Sequence, residues 1–437
     1  MITRRHILLA GMSVPVCWAG AACGAAGPQV VSPEEFGARG DGRTDDTAAL
    51  QRCLELAPRG AVVRLRTGAV YRIDTNWRPT WNQYGGIRLQ SGQVLELNGA
   101  ELRALPGSAT EGTVVQGFKT SGWKIVGPGR ITGERIVHRG TGGEWGMGIS
   151  AWGARDFQIV GAVEVADCWG DGIYVGAADH GYCDGFLIDG VKVRNCRRNG
   201  ISVVAGRNGE IRNFDIEKID GINPRGGIDL EPNTAGAPNR NIRISNGRIR
   251  KVAVGIYITV ANQGVTISGM NIEADNSGII VADNSVDIRI ENNPHIKSLL
   301  GGREGAAVRT VAVRRETVRG LQIRNNQLSG GGDFVIDIYG QGYQGLVVSG
   351  NRISATNAGT QGVARIGAGQ FTDNICVIGP QAGKNGEYFI HLQTVSYGRN
   401  TYRNQSRHNM YSALRGGRDI GGDRFESPTL RHFAERL

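Results

Sequence analysis

The sequence is poor in lysine, in aromatic residues and in long apolar runs. Only 7 of its 50 basic residues are lysine, and aromatic residues make up 6% of the chain. It has no basic run with interleaved aromatic residues and no zinc-finger spacing, so we expect no nucleic-acid partner. Apart from an apolar run near the N-terminus, no segment is long enough to span a bilayer, so we expect no membrane partner once that run is removed.

Cysteine is also scarce. Cys17 and Cys23 lie near the N-terminal apolar run, which leaves five cysteines for the folded chain: Cys53, Cys168, Cys183, Cys196 and Cys376. Three of them are close enough in sequence for one disulfide after export, although buried free thiols are the alternative that we favour. Their spacing fits no zinc site, so we expect no metal and no cofactor.

The first 26 residues are typical of an export signal. Arg4 and Arg5 precede an apolar run that ends near Trp18, and small residues follow. The paired arginines resemble a twin-arginine signal, with an ordinary secretory signal or a lipoprotein signal ending at Cys23 as alternatives. We therefore expect a periplasmic or secreted protein, either a monomer or a homotrimer.

Glycine is abundant, with 68 residues, and it marks an internal repeat. The pair Gly-Ile followed by one further residue recurs at a nearly regular spacing, at Gly148–Ser150, Gly172–Tyr174, Gly200–Ser202, Gly227–Asp229, Gly255–Tyr257 and Gly278–Ile280. Repeats spaced by about 23 to 28 residues indicate a solenoid. Each unit is β-branched, is bounded by turn residues and is too short for a helix, which predicts a parallel β-helix with one coil per repeat.

The repeat also predicts which side chains face outward. Alternate residues of a strand point to opposite faces, so the residue after each core isoleucine faces away from the core. The predicted outward column is Ser150, Tyr174, Ser202, Asp229 and Tyr257, and the neighbouring column is Trp152, Gly176, Val204, Glu231 and Thr259. We expect these columns to form an exposed ridge that serves as the floor for a sugar chain.

The stretch from Phe36 to Gln51 carries a family resemblance. Its pattern predicts a strand, a Gly-rich turn and a helix capped by Thr44, which would close one end of the solenoid. The stretch resembles the N-terminal signature of the pectate lyase superfamily, which includes rhamnogalacturonases, polygalacturonase-like hydrolases, epimerase-like proteins and phage tailspikes. This resemblance implies a right-handed parallel β-helix that acts on polysaccharide. The catalytic motifs of polygalacturonases and of alginate epimerases are absent, so no catalytic residue is carried over.

The predicted fold is therefore all-β, a right-handed parallel β-helix of about ten coils with an N-terminal capping helix. We expect the solenoid to span residues 30–380. The polar, arginine-rich segment 381–437 is predicted to be a C-terminal cap and a partly disordered basic tail.

Three carboxylates are the candidate catalytic residues. Asp229 and Glu231 stand two positions apart on one strand face, which separates their Cβ atoms by roughly 6.5–7 Å. Asp171 precedes its own Gly-Ile pair two coils upstream, about 10 Å from Asp229. Paired carboxylates suit a glycosidase, in which one acts as general acid and the other as general base or nucleophile. The alternatives are ion pairs with Arg225, Arg198 or Lys251, or a calcium ion held by the three acids.

Seven further residues are candidate substrate-binding residues: Tyr174, Tyr257, Trp152, Trp169, Arg198, Asn199 and His180. Aromatic faces stack on sugar rings, and an arginine pairs with a uronate carboxylate through forked hydrogen bonds. Packing of the aromatic rings against a core edge, and full solvation of the arginine and the histidine, are the alternatives.

The function expected from these residues is that of an exported glycoside hydrolase that cleaves a polysaccharide by carboxylate acid–base catalysis, with an acidic polymer as the favoured substrate. The second hypothesis is a uronate epimerase or a polysaccharide lyase that abstracts a proton next to a uronate carboxylate, with arginine or a calcium ion neutralising that carboxylate. A non-catalytic polysaccharide-binding or assembly protein is the third.

Overall fold

The computed structural model describes residues 28–433 except 79–84, 180, 233–237, 283, 301–304, 312–316, 340–341, 385–386, 415 and 428–429. The predicted export signal at 1–26 and the candidate residue His180 lie outside the described residues, so both remain predictions. Within the described part of the chain, no helix is long and apolar enough to cross a membrane.

The described chain consists almost entirely of short strands. It has one 3₁₀ helix (Pro33–Phe36) and one α-helix, α1 (Thr47–Leu56). The strands in chain order are β1 (Val30–Val31), β2 (Asp41–Asp45), β3 (Val62–Arg64), β4 (Val70–Ile73), β5 (Ile87–Arg88), β6 (Val94–Glu96), β7 (Glu101–Ala104), β8 (Glu111–Phe118), β9 (Lys124–Val126), β10 (Gly129–Thr132), β11 (Trp145–Trp152), β12 (Gln158–Val160), β13 (Val163–Ala166), β14 (Ile173–Gly176), β15 (Cys183–Asp184), β16 (Leu187–Asp189), β17 (Lys192–Arg194), β18 (Asn199–Val203), β19 (Gly206–Arg212), β20 (Asp215–Ile219), β21 (Gly226–Leu230), β22 (Arg240–Ser245), β23 (Arg248–Val252), β24 (Val254–Ile258), β25 (Gln263–Ser268), β26 (Asn271–Ala274), β27 (Ser277–Ala282), β28 (Arg289–Glu291), β29 (His295–Ser298), β30 (Ala306–Val311), β31 (Val318–Arg319), β32 (Gln322–Arg324), β33 (Gln327–Gly330), β34 (Phe334–Ile338), β35 (Tyr343–Gln344), β36 (Val347–Ser349), β37 (Arg352–Ala355), β38 (Gly362–Thr372), β39 (Ile375–Ile378), β40 (Tyr388–Gly398), β41 (Thr401–Asn404), β42 (Met410–Leu414), β43 (Arg418–Asp419), β44 (Arg424–Phe425) and β45 (Leu430–Phe433).

The strands form long parallel sheets that run along a solenoid. Among the described residues, 28 strands lie in the first sheet, 15 lie in the second and β31 pairs only with β35. The second sheet starts β2, β4, β7, β10 and ends β39, β41, β44, so each coil contributes one strand to it. The predicted all-β parallel β-helix is confirmed. It has about 13 turns rather than about ten.

The repeated Gly-Ile pairs stack in register, as predicted. Ile149 lies opposite Ile173, Ile173 opposite Ile201, and the ladder continues through Ile228 and Ile256 to Ile279. All six isoleucines are buried in the central core. Burial of a whole isoleucine side chain contributes roughly 1.5–3 kcal/mol, so this ladder is a main source of stability.

The glycine before each isoleucine is explained by close stacking of the coils. A Cβ atom on Gly200 would lie 2.5 Å from the carbonyl oxygen of Gly227 and 2.8 Å from a methyl group of Ile216. A Cβ atom on Gly172 would lie 2.7 Å from the carbonyl oxygen of Gly200. Side chains essentially never come this close to the backbone, so the repeat requires glycine here.

Two pairs of adjacent asparagines, Asn292–Asn293 and Asn325–Asn326, occupy corners of the coils. Asn292 and Asn325 have φ of 55°, in the left-handed region that asparagine tolerates. The residue after each corner enters a buried ladder of side-chain amides that consists of Asn293, Asn326, Asn351, Asn374 and Asn400. Each amide satisfies backbone groups that the turn would otherwise leave buried without partners.

The capping helix is present, but it begins later than predicted. The residue that precedes α1 is Asp46 rather than Thr44, because 41–45 pairs as strand β2. Asp46 is buried, and its carboxylate accepts the backbone N–H groups of Arg39 and Gly40 at 2.7 and 3.1 Å, which fixes the Gly-rich turn. The helix packs on the first coil through a buried face, whose apolar members are Leu50, Cys53 and Leu54.

The coils extend past residue 380, where we predicted the solenoid to end. β40 pairs in parallel with β38, β42 pairs with β40, and β45 pairs with β42. The core side chains of β40 are buried, namely Phe389, Ile390, Leu392, Val395 and Tyr397. The described part of 381–437 therefore continues the β-helix.

The five cysteines of the described chain are buried free thiols.

Candidate active site

The predicted outward column exists in the structure. Ser150 pairs with Tyr174, Tyr174 with Ser202, Ser202 with Asp229, and Asp229 with Tyr257. These residues come from successive strands of the first sheet, and each follows a core isoleucine. Asp229 thus lies outside the central core in the middle of the described solenoid.

The expected exposure of this column is wrong. The side chains of Ser150, Tyr174, Ser202 and Asp229 are buried, and so is Trp152 in the neighbouring column. The rings of Trp152 and Tyr174 pack against each other at a tilt of 38°, with their centroids 4.6 Å apart. These two rings belong to a second, smaller apolar cluster whose other members are Met147, Ala178 and Val204, with Phe118 packed against it.

This cluster shows that the upstream half of the column is covered, not open to a ligand. Trp152 and Tyr174 were predicted to bind substrate, yet their rings contact each other and neighbouring side chains. The packing alternative is correct for these two residues.

A single arginine joins three carboxylates next to Asp229. The guanidinium of Arg198 donates to Asp171 Oδ2 at 3.3 Å and to Glu231 Oε2 at 3.0 Å, and its Nε lies 3.4 Å from Glu144 Oε2. The Arg198 side chain is only 14% exposed. Of the ion pairs that we considered for Glu231, the one with Arg198 is present, whereas Lys251 pairs with Glu217 instead.

This arginine bears directly on the calcium alternative. A guanidinium already stands between Asp171 and Glu231 and supplies the positive charge that a calcium ion would supply. A second cation at that position would be repelled. The residues do not fit a calcium site in this arrangement.

Asn199 connects the two buried acids. Its backbone N–H donates to Asp171 Oδ1 at 3.0 Å, and its side-chain amide donates to Asp229 Oδ2 at 3.1 Å. The same amide group donates to the Ser202 hydroxyl, and its oxygen accepts the N–H of Gly226. Asn199 is buried, so it orients Asp229 and does not face a ligand directly.

The two aspartic acids have raised pKa values. Burial raises the pKa of Asp171 to about 6, and the charge of Arg198 together with hydrogen bonds from Ser202 and Asn199 partly offsets this effect. Burial also raises the pKa of Asp229 well above its ordinary value, and the negative charge of Glu231 adds to that rise. Asp229 therefore holds a proton at pH values where exposed carboxyl groups have lost theirs.

Glu231 and Asp229 differ in their surroundings. The Glu231 side chain is 42% exposed, whereas Asp229 is 1% exposed. Asp229 Oδ1 is buried and has no hydrogen-bond partner among the described residues. Glu231 therefore faces solvent, whereas Asp229 is buried and has one carboxylate oxygen without a hydrogen-bond partner among the described residues.

Trp169 and Tyr257 differ in how far they are covered. Trp169 stacks on His138 with centroids 3.8 Å apart, and Arg197 lies 3.9 Å from its ring centroid. Its indole N–H donates to the carbonyl oxygen of Gly142 at 2.9 Å. Trp169 thus holds the segment 134–145, and its predicted role in substrate binding remains a prediction. Tyr257 is only partly buried and is the neighbour of Asp229 on the next coil.

Glu144 is a site residue that the sequence does not predict, and the contact of Asn199 with both aspartic acids is likewise not predicted. Glu144 belongs to a segment without the Gly-Ile repeat, so no periodic signal predicts its position. Asn199, which precedes Gly200 in the repeat, was predicted to bind substrate rather than to connect two acids. Its contact with Asp229 joins two successive coils and depends on how the coils stack, which the sequence alone does not show.

Comparisons with known proteins agree with this architecture. A family model described as right handed beta helix region matches residues 171–353. The chain therefore has a right-handed parallel β-helix fold. A comparison with curated proteins gave no match.

Several solved structures share this β-helix fold. The A-module of a mannuronan C-5 epimerase from Azotobacter vinelandii is similar with a TM-score of 0.61 and 17% identity, over 91% of this chain and 99% of that chain. The Agl-KA catalytic domain is similar with a TM-score of 0.58 and 14% identity, over 96% of this chain and 70% of that chain. A mutant tailspike protein of an E. coli bacteriophage, in complex with a pentasaccharide, has a TM-score of 0.50 and 11% identity, over 91% of this chain and 67% of that chain. At these identities the likeness shows the fold of the β-helix.

Proposed function

We propose that this β-helix is a polysaccharide-active enzyme and that it hydrolyses glycosidic bonds with Asp229 and Glu231. The observation that carries the proposal is the contrast between these two neighbouring acids. Burial raises the pKa of Asp229, while Glu231 is exposed and paired with Arg198. Two carboxyl groups whose surroundings differ in this way can divide the acid and base roles between them.

In the proposed reaction, protonated Asp229 gives its proton to the glycosidic oxygen as the bond to the leaving sugar breaks. Ionised Glu231 serves as general base for the attacking water or as the nucleophile. Asn199 holds one oxygen of Asp229, which leaves Oδ1 for the leaving group. Asp229 is buried, so the proposed reaction requires side chains around it to move before a bound sugar reaches that oxygen.

The names of two proteins with a similar fold support polysaccharide as the substrate class. One is a mannuronan epimerase, and the other is a tailspike that holds a pentasaccharide. The third sequence-based hypothesis, a polysaccharide-binding or assembly protein, uses the same outward face without catalysis.

Proton abstraction from a uronate is the alternative chemistry. It requires a cation that neutralises the sugar carboxylate, and Arg198 is the nearest cation to the acids. Two of its nitrogen atoms already bind Asp171 and Glu231, so a uronate would have to displace one of these carboxylates. This competition is why hydrolysis is preferred.

The test is a digest of defined polysaccharides with three chemical readouts. Polygalacturonate, rhamnogalacturonan, alginate and carrageenan are incubated with the wild-type chain, Glu231→Gln and the control Glu217→Gln. Glu217 also pairs with arginine, but on the 15-stranded sheet. Hydrolysis predicts new reducing ends without an ultraviolet-absorbing unsaturated uronate. It also predicts a loss of about 100-fold or more in Glu231→Gln alone.

The other outcomes separate the hypotheses. Unsaturated uronate would identify a lyase, and an altered epimer ratio by NMR without cleavage would identify an epimerase. Binding without any product would identify a non-catalytic protein. Each of these results would contradict hydrolysis.

A further inference from the structure

The outward column that contains Asp229 continues along the same sheet. Tyr257 pairs with Ile280, Ile280 with Arg309, Arg309 with Asp337, Asp337 with Arg365, and Arg365 with His391. Arg365 is five coils from Asp229, a distance of about 24 Å at the usual strand spacing. A ligand that follows this face from Glu231 toward the C-terminal coils would therefore meet Arg365 and His391.

An ordered polar pair lies at this end of the column. Arg365 Nε and Nη2 donate to Asp337 Oδ1 and Oδ2 at 2.8 and 2.7 Å, a bidentate pair that fixes the guanidinium plane. The centre of the guanidinium lies 5.0 Å from the ring centroid of Tyr339 and 5.2 Å from that of Phe334. The Asp337 and Arg365 side chains are both only partly exposed.

Two tyrosines stand beside this pair with exposed rings. Tyr339 is 47% exposed and Tyr388 is 39% exposed. The ring of His391 contacts both, with centroids 5.6 Å from Tyr339 and 5.5 Å from Tyr388. In the upstream half of the column, by contrast, the aromatic rings of Trp152 and Tyr174 are buried.

This combination matches what a sugar ring needs. A pyranose has an apolar face of C–H groups, which packs on an aromatic ring, and a rim of hydroxyl groups, which needs polar partners. Exposed aromatic side chains with a polar tip are favoured where a ligand is partly apolar and partly wet. A contiguous exposed patch marks a ligand or partner site more often than single exposed rings do, and here His391 joins the two rings into one patch.

We propose that Tyr339, Tyr388 and His391, with the Asp337–Arg365 pair, form a second glycan-binding site on the same face as Asp229. The ligand of this second site is a distant section of the same polysaccharide chain whose glycosidic bond is positioned for cleavage at Glu231. This inference rests on the proposed function for the identity of the chain, but its binding step is independent of catalysis. The site favours polymers over short oligosaccharides, because only a long chain reaches both positions.

The test measures binding and turnover separately. Wild-type protein, the double variant Tyr339→Ala/Tyr388→Ala and the control Phe425→Ala are run in native gels that contain polygalacturonate, rhamnogalacturonan, alginate or carrageenan. Phe425 is a comparably exposed aromatic residue, but it lies on the 15-stranded sheet. The wild type and the control are expected to be retarded by one polymer, and the double variant is expected to bind it about tenfold more weakly or worse.

Turnover on long and short chains of that polymer gives the second readout. The double variant is expected to have a raised KM for the polymer and unchanged kinetics on fragments of two or three sugars. Equal retardation of all three proteins would overturn the inference, and so would failure of every polymer to retard the wild type. A change from dimer to monomer in the double variant during sedimentation, with polymer binding unchanged, would identify the rings as an interface between copies and would also overturn it.

These outcomes are distinguishable from failure of the proposed function. If no polymer is cleaved but the double variant loses binding, the second glycan site stands and the hydrolase proposal fails. If the polymer is cleaved and the double variant is unaffected at every chain length, the hydrolase proposal stands and the second site fails.

Discussion

At the scale of single residues, Arg198 is the side chain on which the charge balance of the site depends. It is the cation in contact with Asp171, Glu231 and Glu144, and its charge lowers the pKa of both Asp171 and Asp229. Three acids therefore share one guanidinium in a mostly buried position. Removal of one partner from a buried pair is strongly destabilising, because it leaves an uncompensated charge.

The substitution Arg198→Ala is expected to destabilise the fold in a pH-dependent way. At pH 8 the free energy of unfolding should fall by about 3 kcal/mol or more. Without Arg198, Asp171 and Asp229 must either carry a buried negative charge with no cation beside it or stay protonated at a pH that favours ionisation. At pH 5 the cost should be smaller, because both acids are then protonated. Urea unfolding at the two pH values gives the comparison.

The matched control is Arg250→Ala. Arg250 also bridges two acids, Asp215 and Glu217, but on the 15-stranded sheet, where Arg194 pairs with the same two acids. It should cost about 1 kcal/mol or less at both pH values. An Arg198→Ala cost that is equal at pH 5 and pH 8 would contradict the role assigned to this arginine.

Asp171→Asn tests the raised pKa of a buried acid. The pKa of Asp171 is about 6 in the folded chain, above the ordinary value of 3.8. The unfolded chain therefore loses this proton at a lower pH than the folded chain does. The protonated Asp171 stabilises the folded state in full below about pH 4, and this contribution is lost as the pH rises to about 6. The difference corresponds to roughly 3 kcal/mol at 1.36 kcal/mol per pKa unit.

The asparagine variant cannot ionise at this position, so it lacks that loss. Its free energy of unfolding, relative to wild type, should rise between pH 4 and pH 7 by up to this amount. The measurement is a series of urea titrations of the two proteins across that range. A difference that stays constant with pH would show that Asp171 has no raised pKa.

At the scale of elements, the Gly-Ile repeat determines how closely the coils stack. A Cβ atom at position 200 would lie 2.5 Å from the carbonyl oxygen of Gly227, a backbone atom that can yield only if two coils separate. Gly200→Ala should therefore destabilise the chain by about 1–3 kcal/mol or more. Thermal and urea unfolding measure this directly.

Gly142→Ala is the control for this prediction. A Cβ atom added to Gly142 would have no neighbouring atom within 4 Å, and the backbone there does not lie in the left-handed region. This substitution should change stability by no more than about 0.5 kcal/mol. If the two glycine variants unfold alike, close coil stacking is not the reason for the repeat.

At the scale of the whole molecule, the sequence predicts the column but not its burial. The Gly-Ile repeat sets the strand phase, so the register from Ser150 to Tyr257 follows from it. Burial depends on Trp152, Tyr174 and the apolar residues that pack with them. Trp169 and Arg197 in addition bind carbonyl groups of the segment 134–145. Those contacts join parts of the chain that share no periodic signal.

The C-terminal end of the solenoid was placed too early, at residue 380, for a related reason. After Gly278 the Gly-Ile pair disappears, although apolar alternation persists in β38 and β40. Exposed arginines such as Arg399 and Arg403, together with tyrosines and asparagines that the fold buries, give the segment a polar composition, which favoured a tail. The inward positions remain apolar, and parallel pairing continues to β45.

Turnover of Asp229→Asn, measured together with its melting temperature, tests the central claim most directly. The raised pKa keeps Asp229 neutral at mildly acidic pH, so the near-isosteric asparagine should leave the melting temperature within a few degrees of wild type. Asparagine cannot give a proton to the leaving oxygen, so turnover on the cleaved polysaccharide should fall about 100-fold or more, while Asp215→Asn on the 15-stranded sheet retains it. A folded Asp229→Asn variant that cleaves the polymer at nearly the wild-type rate would contradict the assignment of this column as the active site.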